Sequence, residues 1–497
     1  YGGGAVGGVV NIIDYRIHPE YVEGLMGKYS AGYGGANNAS SSSMLVDIGS
    51  GNLMFHLDLY DRNTKNLEIP GFAVSEKLAE SDAEFPLDKY GENTLQNSYN
   101  ETRGGGVGAS YFFNNGYTGL SFAKHDQEYG NVLEDGSYID LESDTFKYEF
   151  EIRNLSNLVN KFKFKLSHTD YQHFEMEGAT EIGLDYFDIG HDAKVEVLHS
   201  LLSDSGGVVG IDFGESRFSQ ETKPYEPNNK RQNFGVYALE KFTVGKHKIT
   251  VGLRHDYQEY DANAFTSDDG APTEGGDEGS TSFSASEKTF NATSLSAGTT
   301  SKLNENWSLG LSFAHTERVP NHDELFVFGE HHATETIEHG DRNLKNERSN
   351  SIDATLSWAN QGKTFSMTPY FTDFSSYIAL LDTGVVQFHE HDGESEALPV
   401  LLHQNIPAEF YGFEFQGSIP LASNYGLNYR GDYVRAKNRN GGDLPRIPPV
   451  TLGATILGDW GNLKSDLSVR QVFSQNKTGK YEIKSDSYSD LTFHLNY

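Results

Sequence analysis

The chain has 497 residues, a formal net charge of -32 and no cysteine, with 53 glycines beside 28 tyrosines and 31 phenylalanines. That balance excludes disulfides and thiolate metal sites, argues against nucleic acid as a partner because phosphate binding needs basic patches, and is too aromatic for disorder. No run approaches the roughly 18 apolar residues of a membrane helix, whereas a mean hydropathy of -0.55 still admits a transmembrane β-barrel, whose strands are apolar only on alternate residues.

The first stretch, YGGGAVGGVVNIID, joins a glycine run to the short apolar strand Val9–Ile13, and His18 with Pro19 breaks the pattern. Residues 1–20 therefore read as the end of a preceding domain, and residues 21–497 as one all-β unit. Thereafter alternating segments of about ten or more residues recur, with every second connection longer, as in an antiparallel up-and-down transmembrane barrel. In KFKFKLSH, Lys161, Lys163 and Lys165 oppose Phe162, Phe164 and Leu166; in WSLGLSFAH, Trp307, Leu309, Leu311 and Phe313 oppose small and polar residues. Charges on one face and aromatics on the other suit lipid outside and water or a plug inside.

About twenty segments are predicted, starting near Glu23, Ser41, Leu53, Tyr99, Tyr117, Thr145, Asn160, Leu184, Gly206, Gln232, Lys246, Lys288, Asn306, Asn350, Thr364, Val400, Gly426, Pro449, Leu463 and Asp486. Long loops are predicted at 66–98, 131–143, 221–230, 262–284, 321–348 and 382–398, all acidic or polar. Phe, Tyr and Trp at strand ends are read as a girdle anchoring the barrel in the membrane interface. The histidines within strands, His56, His125, His255 and His315, are read as interface or lumen residues.

Between two such strands, ERVPNHDELFVFGEHHATETIEHGDRNLKNERS (317–349) holds four of the eighteen histidines, His322, His331, His332 and His339, among many carboxylates. With no thiol available, imidazole and carboxylate are the strong ligands left for a borderline metal ion. A second cluster, FHEHDGESE, sets His389 and His391 two residues apart, on one face of an extended chain, among Glu390, Asp392, Glu394 and Glu396. His173, His168 and His403 are further candidates, and for any single histidine a surface or hydrogen-bonded role is the competing reading.

Three stretches resemble the TonB-dependent receptors of the Gram-negative outer membrane. Tyr1, Gly3, Ala5, Gly7, Gly8, Val9, Asn11 and Ile12 are similar to the end of that family's plug domain. Arg318, Pro320, Glu324, Leu325 and Phe326, followed by Gly340, Asn343, Leu344, Lys345, Glu347 and Ser349, resemble its "R-x-P … E-L-F … G-N-x-x-L-K-P-E-x-S" signature, with Asn346 in place of Pro and Asp341 in place of Asn. Tyr411, Gly412 and Glu414 resemble its "x-G-x-E" motif. The resemblance implies a plugged 22-stranded barrel, of which about twenty strands and only a remnant of the plug fall in this chain, so that the last two strands are expected to be missing. It also implies coupling to the TonB energy-transducing complex through the region before Tyr1, a monomer, and no enzymatic cofactor.

Within the family the loop GEHHAT is most similar to the zinc-uptake receptors, where His331 takes the place of a histidine ligand. The stretch DYQHFEMEGATEIG resembles their carboxylate-bearing segment, and Glu175 falls on that carboxylate. The expected metal ligands are thus Glu175 and His331, with His332, His339, His389, His391 and His173 as further candidates and zinc as the transported ion, other divalent metals being possible. The alternative within transport is a receptor for a siderophore, haem or other metal chelate. An enzyme is disfavoured: no G-x-S-x-G elbow and no H-E-x-x-H helix motif occurs.

Overall fold

The computed structural model describes residues 12–497 apart from 82, 84, 135, 179, 201–204, 223, 271–278, 332–333, 335, 392–393 and 481. In chain order the strands are β1 (Gly24–Gly34), β2 (Ala39–Ser50), β3 (Leu53–Thr64), β4 (Leu67–Phe72), β5 (Glu92–Leu95), β6 (Asn100–Phe113), β7 (Gly116–Gly130), β8 (Tyr138–Arg153), β9 (Val159–Glu177) and β10 (Glu181–His199). They continue with β11 (Ser205–Ser219), β12 (Asn229–Val244), β13 (His247–Ala262), β14 (Phe265–Gly270), β15 (Gly279–Phe283), β16 (Ser286–Lys302), β17 (Trp307–Arg318), β18 (Phe328–His331), β19 (Thr336–His339) and β20 (Glu347–Asn360). The last six are β21 (Lys363–His391), β22 (Glu394–Ala422), β23 (Tyr425–Asn438), β24 (Thr451–Trp460), β25 (Leu463–Val472) and β26 (Tyr488–Asn496). Two short helices, α1 (Glu76–Ser81) and α2 (His322–Phe326), lie in connections.

Of the 26 strands, β4, β5, β14, β15, β18 and β19 belong to connections, and the other twenty follow one another antiparallel in chain order through a single sheet. The predicted period of two holds across it. Leu311 and Phe313 stand exposed on the outer face, while Lys161 reaches Glu151 at 3.2 Å and Lys165 reaches Glu149 at 2.6 Å on the inner one. Cross-strand aromatics such as Phe150 and Phe162, with ring centroids 6.4 Å apart, knit the apolar face.

Turns at one end are tight, as at Gly51–Asn52 between β2 and β3, and connections at the other end are long, as between β17 and β20. Two expectations need correction. The loop predicted at 382–398 is a continuation of the β21–β22 hairpin, whose pairing runs to His391 opposite Glu394. Likewise β8 begins at Tyr138, inside the loop predicted at 131–143. In both places the strand has left the roughly ten residues that cross a membrane, so no lipid imposes apolar alternation and polar sequence no longer signals a loop.

Before β1, residues 14–22 run along the inner wall. β6 carries Arg103-Gly104-Gly105-Gly106-Val107-Gly108, and a Cβ at Gly108 would stand 1.7 Å from the Arg16 carbonyl oxygen, one at Gly106 2.3 Å from Arg16 Nε. The bare backbone of β6 is therefore the bed of this segment. Arg16 then forks onto Asp58, with Nε–Oδ1 at 2.7 Å and Nη2–Oδ2 at 2.9 Å.

Candidate metal centre

The long connection between β17 and β20 is folded onto the barrel by the signature residues. Arg318 donates two hydrogen bonds to Glu324, at 2.9 and 2.8 Å, and one to Glu347 at 2.6 Å. The same Glu324 accepts the Asn321 backbone N–H at 2.7 Å, closing the first turn of α2. Leu325 and Phe326 pack with Tyr260, Ala292 and Val319, each contributing on the order of 1.5–3 kcal/mol by burial. Gly340 is required by close approach: a Cβ there would lie 2.6 Å from the backbone of Leu325 and Phe326.

Held on this base, β18 and β19 form a hairpin that pairs Phe328 with His339 and His331 with Thr336. Alternation places His331, Thr336 and Glu338 on one face and Phe328, Glu330, Ile337 and His339 on the other. On the first face, the Thr334 hydroxyl meets His331 Nδ1 at 3.1 Å and Thr336 Oγ1 at 2.7 Å, and Thr336 donates to Glu338 at 3.4 Å. This chain of hydroxyls holds the His331 ring by one nitrogen. On the second face, His339 stacks on Phe328 with centroids 4.1 Å apart. Its buried Nε2 has no hydrogen-bond partner among the described residues, and burial lowers its pKa.

Glu175 and His173 lie two residues apart on the lumenal face of β9, beyond the roughly ten residues nearest the short turns that cross a membrane. His173 Nε2 stands 3.9 Å from Glu175 Oε1, its Nδ1 meets the Tyr171 hydroxyl at 2.9 Å, and its ring stacks on Tyr186 at 4.1 Å. Burial lowers its pKa to about 4, so the imidazole is neutral at pH 7. The Tyr186 hydroxyl in turn meets the Tyr225 hydroxyl at 2.6 Å.

Tyr225 is the hub between wall and hairpin. Its carbonyl accepts the Phe328 N–H at 2.7 Å, binding the connection 220–228 to β18. Burial first, then the charge of Glu226, and at longer reach that of Glu175 and Glu338, raise its phenol pKa. Beside it, His322 Nδ1 meets Glu226 at 2.9 Å and stacks on Phe218. Desolvation opposes the His322 imidazolium, yet Glu226 and Asp323 prevail and raise its pKa.

Of the residues predicted from sequence, the structure sets Glu175 beside His173, whose ring reaches Tyr225 by way of Tyr186, and Tyr225 in turn holds the hairpin that carries His331. His339 faces away from His331. His332 lies outside the described residues, as do the side chains of His389 and His391, whose backbones close the β21–β22 hairpin. His168 and His173, five apart in one strand, point to opposite faces, and His168 stacks instead on His191 at 4.6 Å. His403 Nδ1 is buried without a partner among the described residues. Sequence reading missed Tyr186, Tyr225 and Glu226, because nothing in composition marks a tyrosine as the joint between two loops.

Residues 37–497 match the family model described as TonB dependent receptor-like, beta-barrel. Among solved structures the chain is similar to the copper transporter OprC, at TM-score 0.76 and 15% identity over 96% of this chain and 74% of that one. It is also similar to the FrpB iron transporter from Neisseria meningitidis (F3-3 variant), at TM-score 0.70 and 12% identity over 96% and 74%. A third is the ferric-catecholate import receptor Fiu from K12 E. coli, at TM-score 0.67 and 12% identity over 96% and 75%.

Proposed function

The chain belongs to the TonB-dependent receptor β-barrel family of the Gram-negative outer membrane, and from that premise we propose that it imports a zinc-class divalent metal ion, with energy delivered by the TonB system. What supports this reading is two sets of nitrogen and oxygen donors tied to one loop: Glu175 beside His173 on the barrel wall, with the His173 ring stacked on Tyr186 and the Tyr186 hydroxyl meeting that of Tyr225, and His331 with Glu338 on one face of the β18–β19 hairpin, which the Tyr225 carbonyl holds through the Phe328 N–H. Nitrogen and oxygen donors without thiolate suit zinc, which takes imidazole at about 2.0–2.1 Å and carboxylate at about 2.0–2.2 Å.

The ligands come from two bodies, wall and hairpin, so a shift of the hairpin would open the coordination and release the ion. Import thus needs displacement and no covalent chemistry. A second reading, uptake of a copper or iron species, draws on the names of the similar structures.

Binding and uptake measured with zinc, copper(II) and a ferric chelate, in wild type and in Glu175→Ala and His331→Ala, decide between them. Each variant is expected to weaken zinc binding by roughly tenfold or more, about 1.4 kcal/mol. Unchanged zinc uptake in both would remove the site assignment, and uptake of the ferric chelate alone would remove the cargo.

A further inference from the structure

At the opposite, short-turn end of the barrel, His18, Asp47 and His56 converge with one donor atom from each lying within 4.8 Å of the others. Asp47 precedes and His56 follows the Gly51–Asn52 turn, where they are directly paired across β2 and β3. His18 comes from the segment laid over the glycines of β6. Both rings reach the same oxygen: His18 Nε2 lies 2.7 Å and His56 Nδ1 2.6 Å from Asp47 Oδ1. All three side chains are withdrawn from water, at 9%, 5% and 5% exposure for His18, Asp47 and His56.

The surroundings are those of a metal ligand set. The other nitrogen of His56, Nε2, faces Asp58 Oδ1 at 3.0 Å, and Asp58 is itself gripped by the Arg16 fork. A carboxylate behind a ligating imidazole fixes the ring and keeps its proton on the far nitrogen. Here that directs the Nδ1 lone pair of His56 toward Asp47 and His18. Two imidazoles and one carboxylate, with no thiolate in the chain, form a three-ligand set for a borderline divalent ion with a fourth position left for water.

We propose that His18, Asp47 and His56 bind one divalent ion of the zinc class, and that this ion staples the pre-barrel segment to the barrel wall. The site is separate from the cargo site near Tyr225 and stands whether or not that assignment holds.

The test uses the full chain in detergent, equilibrated with zinc and dialysed, with bound metal counted and its ligands read by zinc-edge X-ray absorption. Wild type is expected to retain, beyond any zinc that Glu175→Ala and His331→Ala remove, one equivalent whose spectrum shows imidazole scattering. His18→Asn and His56→Asn lose that equivalent, while Glu175→Ala and His331→Ala keep it. Asp58→Asn, which removes the support behind His56, weakens the site by about 10–100-fold. His18→Asn leaves the barrel wall intact, and heat-modifiable gel mobility confirms that each variant is folded. Zinc retention unchanged in His18→Asn and His56→Asn, no zinc retained by wild type, or a retained ion without imidazole scattering would each overturn the proposal.

Discussion

At the scale of single residues, His322 shows how one loop contact responds to pH. Its ring faces Glu226 at 2.9 Å, and its pKa is raised in the folded chain despite the cost of desolvation. A group whose pKa rises on folding contributes stability that is fully present below its unfolded value, about 6.5 for histidine, and is lost as pH climbs through the folded value. The contact between α2 and the connection 220–228 is therefore expected to be tightest in mild acid and to loosen toward alkaline pH. Amide-exchange protection of 322–326, measured in wild type and Glu226→Gln across pH, checks this: the two proteins should differ at pH 6 and converge at high pH. A gap that widens with pH would contradict the pairing. None of this was legible beforehand, because Glu226 lies 96 residues from His322 and no local spacing links them.

Between elements, the signature is a clamp. Arg318 ends β17, Glu324 belongs to α2 and Glu347 opens β20, and the single guanidinium binds both carboxylates with little solvent access. Removing the cation leaves two buried carboxylates facing one another, so Arg318→Ala is expected to cost about 3–5 kcal/mol, seen as faster amide exchange through α2 and β18–β19. Arg318→Lys restores the charge but not the fork, and should fall between. Exchange in this region identical to wild type would refute the clamp. The ends of the 317–349 stretch were recognisable as scaffold from sequence because a signature needs fixed residue types at fixed spacing. The division of its middle was not: that His331 shares a face with Glu338 and not with His339 follows from the register of a hairpin only four residues deep. Strand starts such as Leu53 and Leu463 were readable because lipid on one side and water on the other enforce a period of two. Where β8, β21 and β22 rise past the membrane, that pressure ends and the reading shifted by several residues.

For the molecule as a whole, the glycines of β6 decide where the pre-barrel segment lies. Gly108→Ala places a Cβ 1.7 Å from the Arg16 carbonyl, so the segment must lift and expose the Arg16–Ile17 bond. Trypsin is expected to cut there in Gly108→Ala and to spare both wild type and the control Gly27→Ala, whose added Cβ meets nothing closer than 3.7 Å. Equal resistance in all three would mean that the bed is not what holds the segment. The sequence displayed the glycine run plainly, but the partner that needs it became visible only with the fold. The β21–β22 hairpin has an electrostatic consequence. Its strands are 29 residues long where about ten suffice to cross lipid, so at about 3.3 Å per residue they extend many times the Debye length of about 8 Å in physiological salt. The far end of the hairpin therefore lies outside the screened field of the bilayer surface, and a cation approaching it is not steered by the lipid headgroups.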